Sequence, residues 1–243
     1  MRDALLSSYT LLEFGLCVAA WVPLMGAVHV RHRRDPTPRV PGRWLRRLAR
    51  TTTRLSPLRM SIEGRAPEDI ARRAYVVVAN HESNLDPFLL AHLPWDMRWV
   101  AKRELFRIPV IGALLRLSGD IPLRRGDGDS VRRMFAGCRE TLGRGLSVMI
   151  FPEGTRARDG MLGPFKDGAF RLAIESHVPV LPIAIDGTRE CLAAGSWRFG
   201  DARARAQVLE PVSTENLGPD DVAWLRDEAR SRIAAALPRA RAS

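Results

Sequence analysis

His81 and Asp86 stand five residues apart in Asn80-His-Glu-Ser-Asn-Leu-Asp-Pro87, directly after the apolar run Tyr75-Val-Val-Val-Ala79. An imidazole with one nitrogen held by a carboxylate keeps a fixed tautomer, and its other nitrogen becomes a better base. The spacing suits a short strand-to-helix loop, with Asp86 as the helix N-cap and Pro87 as its first residue. On such a loop the two side chains can fold back on each other. That makes His81 a candidate general base and Asp86 its partner. A His/Asp pair on a loop is also a common structural device, so the motif does not stand alone.

A second motif, Phe151-Pro-Glu-Gly-Thr-Arg156, also follows an apolar run, Ser147-Val-Met-Ile150. Gly154 lets main chain approach a ligand closely. Arg156 offers a planar fork for a phosphate, and Phe165-Lys-Asp-Gly168 adds the cation of Lys166. The competing reading is a polar turn in which Glu153 and Arg156 form a surface pair. Two weaker signals complete the set. Gly119-Asp-Ile-Pro-Leu-Arg-Arg125 reads as a strand ending in two arginines. Val178-Pro-Val-Leu-Pro-Ile-Ala-Ile185 reads as a strand entered through Pro179.

These motifs need elements to hold them. Candidate strands are 59–62, 75–79, 98–101, 119–123, 146–151, 180–185 and 204–209. Candidate helices are 88–93, 105–117, 130–142, 168–176 and 219–237. Near-continuous apolar runs at 75–79 and 147–151 suggest strands buried on both faces, as in a mostly parallel sheet. Strand–helix alternation predicts one α/β domain of about seven strands with flanking helices. In such sheets ligands bind at the carboxyl ends of the strands, where the first two motifs lie. The Gly126-Asp-Gly-Asp129 stretch reads as an exposed turn, and 238–243 as a frayed tail.

The chain has 243 residues, 46% hydrophobic and 27% charged, which excludes a collagen-like, low-complexity or wholly disordered protein. Cys17, Cys138 and Cys191 lie far apart, which argues against a disulfide framework or a structural zinc site. Net charge is +11. Arginines 31, 33, 34, 39, 43, 46, 47, 50 and 54, set against Asp35, supply most of it. So local an excess argues against nucleic acid as a partner. The uncharged run Phe14–Val30 precedes it, and an apolar stretch followed by arginines is the pattern of a membrane anchor with its C-terminal side in the cytoplasm. Apolar residues 44, 45, 48 and 55 among arginines suit a basic helix lying on an anionic surface. The alternative is a core helix followed by a solvated loop. The expected organisation is a membrane anchor and basic amphipathic segment over 1–57, a catalytic α/β domain over 58–237, and the tail.

Taken in order, Asn-His-x4-Asp, Gly-x-Ile-Pro-x-x-Arg, Phe-Pro-Glu-Gly-Thr-Arg and Val-Pro-x-x-Pro resemble the four-block pattern of the glycerophospholipid acyltransferases over residues 58–212. The stretch Ala101–Gly112 is similar to the family's segment between its first two blocks. One departure is visible: the second block often ends in Asp-Arg, whereas here it ends Arg124-Arg125. The resemblance implies transfer of a fatty acyl group from a thioester, acyl-CoA or acyl carrier protein, to the 2-hydroxyl of 1-acyl-glycerol-3-phosphate, giving phosphatidic acid. It implies catalytic His81 and Asp86. Arg125, Glu153, Gly154, Thr155, Arg156 and Lys166 would bind the acceptor, and Pro179 would shape the acyl-donor side. No metal or cofactor is expected beyond the acyl co-substrate. The partners would be membrane lipids and the lysophospholipid, with the catalytic domain on the cytoplasmic side of the cell membrane. Another lysolipid acceptor, such as lyso-ornithine lipid, stays open, as does a non-catalytic basic membrane-binding protein.

Overall fold

The computed structural model describes residues 2–34, 39–156, 160–193 and 195–238. Two long helices come first, α1 (Arg2–Arg31) and α2 (Arg39–Leu55). The alternating part follows: β1 (Arg59–Glu63), β2 (Val76–Ala79), α3 (Asp86–Leu90), β3 (Met97–Lys102), α4 (Pro109–Ser118), β4 (Ile121–Leu123), α5 (Gly128–Gly143), β5 (Ser147–Ile150), α6 (Gly168–Glu175), β6 (Val180–Asp186), α7 (Thr188–Cys191), β7 (Arg203–Val208) and α8 (Val222–Ala236). The seven strands make one sheet in the order β1-β7-β6-β2-β5-β3-β4. Only the β6–β7 pair is antiparallel. This is the expected fold class. Residues 239–243 of the expected tail, and Asp35, lie outside the described residues.

Alternation along β2 shows why the sheet is buried on both sides. Val76 and Val78 enter one apolar cluster, with residues of α5, α6 and α8. Tyr75, Val77 and Ala79 enter the other, with Leu89 and Leu90 of α3. Successive side chains of a strand point to opposite faces, so an unbroken apolar run needs helices on both.

The single helix expected over 105–117 is instead a 3-10 turn, Arg103–Arg107, followed by α4. The break is at Ile108, whose ψ of 122° is extended, as the residue before a proline prefers. Pro109 then opens α4, and Gly119 ends it in the left-handed conformation at φ 79°. That use of Gly119 is why β4 starts at Ile121 rather than at 119. The expected turn at 126–129 is also shorter, because the Asp127 side chain accepts the Ser130 N–H and caps α5.

The N-terminal helices differ from expectation in one respect. α2 is helical and basic as read, but its apolar face does not look outward. Leu48 packs with Met25 and Leu114, flanked by Trp21, Trp44 and Leu45. Arg46 is buried against Asp96, while Arg43, Arg47 and Arg54 are exposed. Of the four apolar residues meant for lipid, Trp44, Leu45 and Leu48 are therefore taken up by α1 and α4 and Leu55 stays exposed, while the outward face of α2 is a stripe of arginines.

Candidate active site

Because β2, β5, β3, β4 and β6 all run the same way, their carboxyl ends share one edge of the sheet. Asn80 closes β2 there. Its amide donates to the Ile185 carbonyl at 2.8 Å and accepts the Ile185 N–H at 2.7 Å, extending the β2–β6 ladder by a side chain. The next residue is His81.

His81 Nδ1 lies 2.6 Å from Asp86 Oδ2. A carboxylate there requires the proton on Nδ1, which leaves the Nε2 lone pair for chemistry. The same Asp86 oxygen accepts the backbone N–H groups of Glu82 at 2.8 Å and Ser83 at 3.0 Å. Its other oxygen accepts the hydroxyl of Thr188, at the start of α7. Asp86 is fully buried, whereas the His81 side chain keeps 17% of its surface exposed. The imidazole also stacks on Phe151 of the second motif, centroids 4.1 Å apart and planes 18° apart. One expectation changes: Asp86 is not the N-cap. Leu85 flanks the helix and Asp86 is its first residue, so Pro87 stands second rather than first, still within the first turn. The carboxylate turns back over the loop because four donors wait there.

Glu153 follows β5 and ties the two motifs together. Its Oε1 accepts the His81 N–H at 2.8 Å, and its Oε2 accepts the Gly163 N–H at 3.1 Å. Burial pushes its carboxyl above the usual range, outweighing these two N–H donors. Gly154 adopts φ +74°, and a Cβ there would stand 3.0 Å from Lys166 Nζ. The ammonium thus lies across the glycine. Thr155 is exposed and Arg156 half-buried. Arg156 Nη1 is closed off from solvent with no hydrogen-bond partner among the described residues.

Arg125 is exposed in the turn after β4, on the same edge. β5 and β3 separate β4 from β2, so about 14 Å of sheet lies between the two strand ends. Pro179 requires a correction. It directly precedes β6, and its carbonyl accepts the Val76 N–H at the start of β2. Parallel strands put all their beginnings on the far edge, roughly 20 Å from their ends for a strand of this length. Pro179 therefore does not line this site. Thr188 and Gly163 were missed. Thr188 had one available signal, its place just beyond the carboxyl end of β6; Gly163 had none.

An imidazole steered by a buried carboxylate, at the mouth of a parallel sheet, is an arrangement for taking a proton from a bound hydroxyl or water. Comparison with known proteins narrows this. The family model described as Acyltransferase matches residues 61–186. A chloroplastic 1-acyl-sn-glycerol-3-phosphate acyltransferase of Brassica napus is 40% identical over 162 residues, 65% of this chain and 45% of that protein. The human 1-acyl-sn-glycerol-3-phosphate acyltransferase alpha is 39% identical over 158 residues, 64% of this chain and 56% of its own length. In fold, the chain matches the crystal structure of the 1-acyl-sn-glycerophosphate (LPA) acyltransferase from Thermotoga maritima. The TM-score is 0.77 at 24% identity, over 97% of this chain and 96% of the other.

The chain belongs to the acyltransferase family, whose model takes in β2 through β6 and hence both site motifs. It spans about half the length of the curated relatives it matches.

Proposed function

We propose that this protein transfers a fatty acyl group from a thioester donor, acyl-CoA or acyl carrier protein, to the 2-hydroxyl of 1-acyl-glycerol-3-phosphate, in the synthesis of phosphatidic acid. The observation that carries the reading is the His81–Asp86 pair, with Nε2 directed away from the carboxylate at the ligand edge of the sheet. The names of the relatives supply the acceptor. His81 Nε2 takes the hydroxyl proton as the acceptor oxygen bonds to the thioester carbonyl carbon. The C–S bond then breaks, and the departing thiolate collects the proton from the imidazolium. A thiolate leaves readily, so the route needs no second acid, metal or cofactor.

Ser83 gives no support to a covalent acyl-enzyme. It is fully buried, and its hydroxyl donates to the Leu192 carbonyl at 2.6 Å. We assign Lys166 and Arg156, with Arg125 reaching in from β4, to the acceptor phosphate. Gly154 keeps the approach open, and Thr155 lies at its rim. Glu153 serves the acceptor site by fixing both loops through its two accepted N–H bonds.

The same proposal covers the membrane. By length and composition α1 is long and apolar enough to cross a bilayer. Yet one side of it is docked on the domain. Ser7 Oγ accepts the Phe199 N–H at 2.9 Å, Phe14 packs on Phe88, the Trp21 indole donates to the Trp44 carbonyl, and Met25 is fully buried. Those contacts extend over about 27 Å of helix axis. A helix held so far along its length lies against the bilayer rather than through it. Its other side exposes Leu5, Leu12, Leu16 and Val30, and Leu105, Ile108 and Val110 before and in α4 are exposed too. The reading is one-leaflet attachment, with the arginines of α2 among the headgroups of the cytoplasmic leaflet.

The test uses membranes from cells expressing the protein or its His81→Ala variant, supplied with labelled lysophosphatidic acid and a long-chain acyl-CoA or acyl carrier protein thioester. Phosphatidic acid should form only with the unaltered protein, at a rate indifferent to EDTA. Product from both, or from neither donor, sinks the reading. Tags at the two termini should be cleaved from the same side of the membrane.

A further inference from the structure

Arg230 lies on α8, beyond the residues matched by the family model. Its guanidinium grips two successive carbonyls: Nη2 donates to Leu162 at 2.8 Å and Nε to Gly163 at 3.1 Å. Gly163 is the residue whose own N–H reaches Glu153 Oε2, and Glu153 Oε1 holds the His81 N–H. The contacts form an unbroken line from α8 to the candidate base. A Cβ on Gly163 would stand 2.9 Å from Glu153 Oε2, so the close approach of main chain to carboxylate needs glycine.

The neighbouring arginine shows that this is not a generic feature of the helix surface. Arg226, one turn earlier, forms ion pairs with Asp167 and Asp227. Arg230 spends its donors on main chain instead, in a bidentate geometry that one ammonium cannot copy.

We infer that Arg230 is a positioning residue for His81, acting through Gly163 and Glu153. This rests on the reading of His81 as the base. Arg230 fixes the height of the 162–163 main chain. That sets where Glu153 Oε2 sits, and the rigid carboxylate passes the placement to the His81 backbone. Arg230 itself lines a recess, together with Leu162, Pro164, Phe165, Arg226 and Asp227, so water can take the place of the removed guanidinium. The variant should therefore fold.

The test compares Arg230→Met, Arg230→Lys, Glu153→Gln and the double variant Arg230→Met/Glu153→Gln in the full chain. Hydrogen exchange of the peptides covering 80–86 and 160–166 reads the placement without needing turnover. In Arg230→Met both should exchange about fivefold faster or more, with α5 unchanged. In the acyl-transfer assay Arg230→Met should lower kcat about tenfold, with the acceptor KM within about twofold. Arg230→Lys should recover part of it. The double variant should be no slower than Glu153→Gln alone, because the two act in one line. Unchanged exchange at 80–86, or losses that multiply in the double variant, overturn the inference. Altered exchange in a protein with no acyltransferase activity would uphold the positioning and refute the proposed reaction instead.

Discussion

Asp86 carries more of the site than its one visible partner suggests. It accepts from an imidazole, two backbone amides and a threonine hydroxyl, so both oxygens are filled. An amide in its place has one acceptor oxygen and an NH2 group facing donors. Asp86→Asn should cut kcat about a thousandfold while the protein stays folded, as steady-state rates and circular dichroism would show. Ser83→Ala separates the two mechanisms. With the hydroxyl engaged by Leu192, its loss should cost about 1–2 kcal/mol in chemical denaturation and leave acyl transfer within a few-fold. Abolished turnover in a stable Ser83→Ala protein would revive a covalent intermediate. His81 and Asp86 were legible because the pairing is local, five residues across one loop. Thr188 was not, because its partner lies 102 residues away and only the β2–β6 pairing joins them.

At the scale of elements, the same division holds. β2 and β5 announce themselves, since a strand buried on two faces must be apolar throughout. Pro179 shows the limit of that reading. Its motif marks a strand correctly, but the end of the sheet on which it falls depends on strand direction, which no local pattern carries. α2 shows another limit. Its periodicity reveals an apolar stripe and a basic stripe without saying that α1 and α4 already cover most of the first. What remains outward is Arg43, Arg47 and Arg54. Replacing Arg47 and Arg54 by Ser should weaken sedimentation with anionic vesicles about tenfold or more at low salt. Binding to neutral vesicles, carried by the leucines of α1, should change little. Equal losses on both kinds of vesicle would count against the electrostatic role.

At the scale of the whole molecule, the helical pair and the sheet meet over buried charge. Arg46 reaches Asp96, and Arg98 and Asp120 are buried beside them. Asp120 accepts the Trp99 N–H and the Ser118 hydroxyl, yet burial dominates and raises its carboxyl above the usual value, against the pull of Arg98 and Arg46. A raised carboxyl means that the folded state holds its proton where the unfolded chain has released it. Its contribution to stability is therefore full below about pH 4 and falls as pH rises toward the folded-state pKa. Measured as a difference in Tm, the advantage of the unaltered protein over Asp120→Asn should be greatest in acid and shrink with rising pH. A difference that grew with pH would mean that the ionised form is the one the fold favours.

The docking of α1 has a practical consequence. Phe14 covers Phe88, two places beyond Asp86 in the same short helix, and Ser7 secures the main chain at Phe199. A trimmed protein beginning after residue 38, made to escape detergent, would lose the roof over α3 and the brace beside Leu192. It would exchange one sticky surface for another, and its weak activity would be misread as a missing lipid requirement when the damage lay in the scaffold.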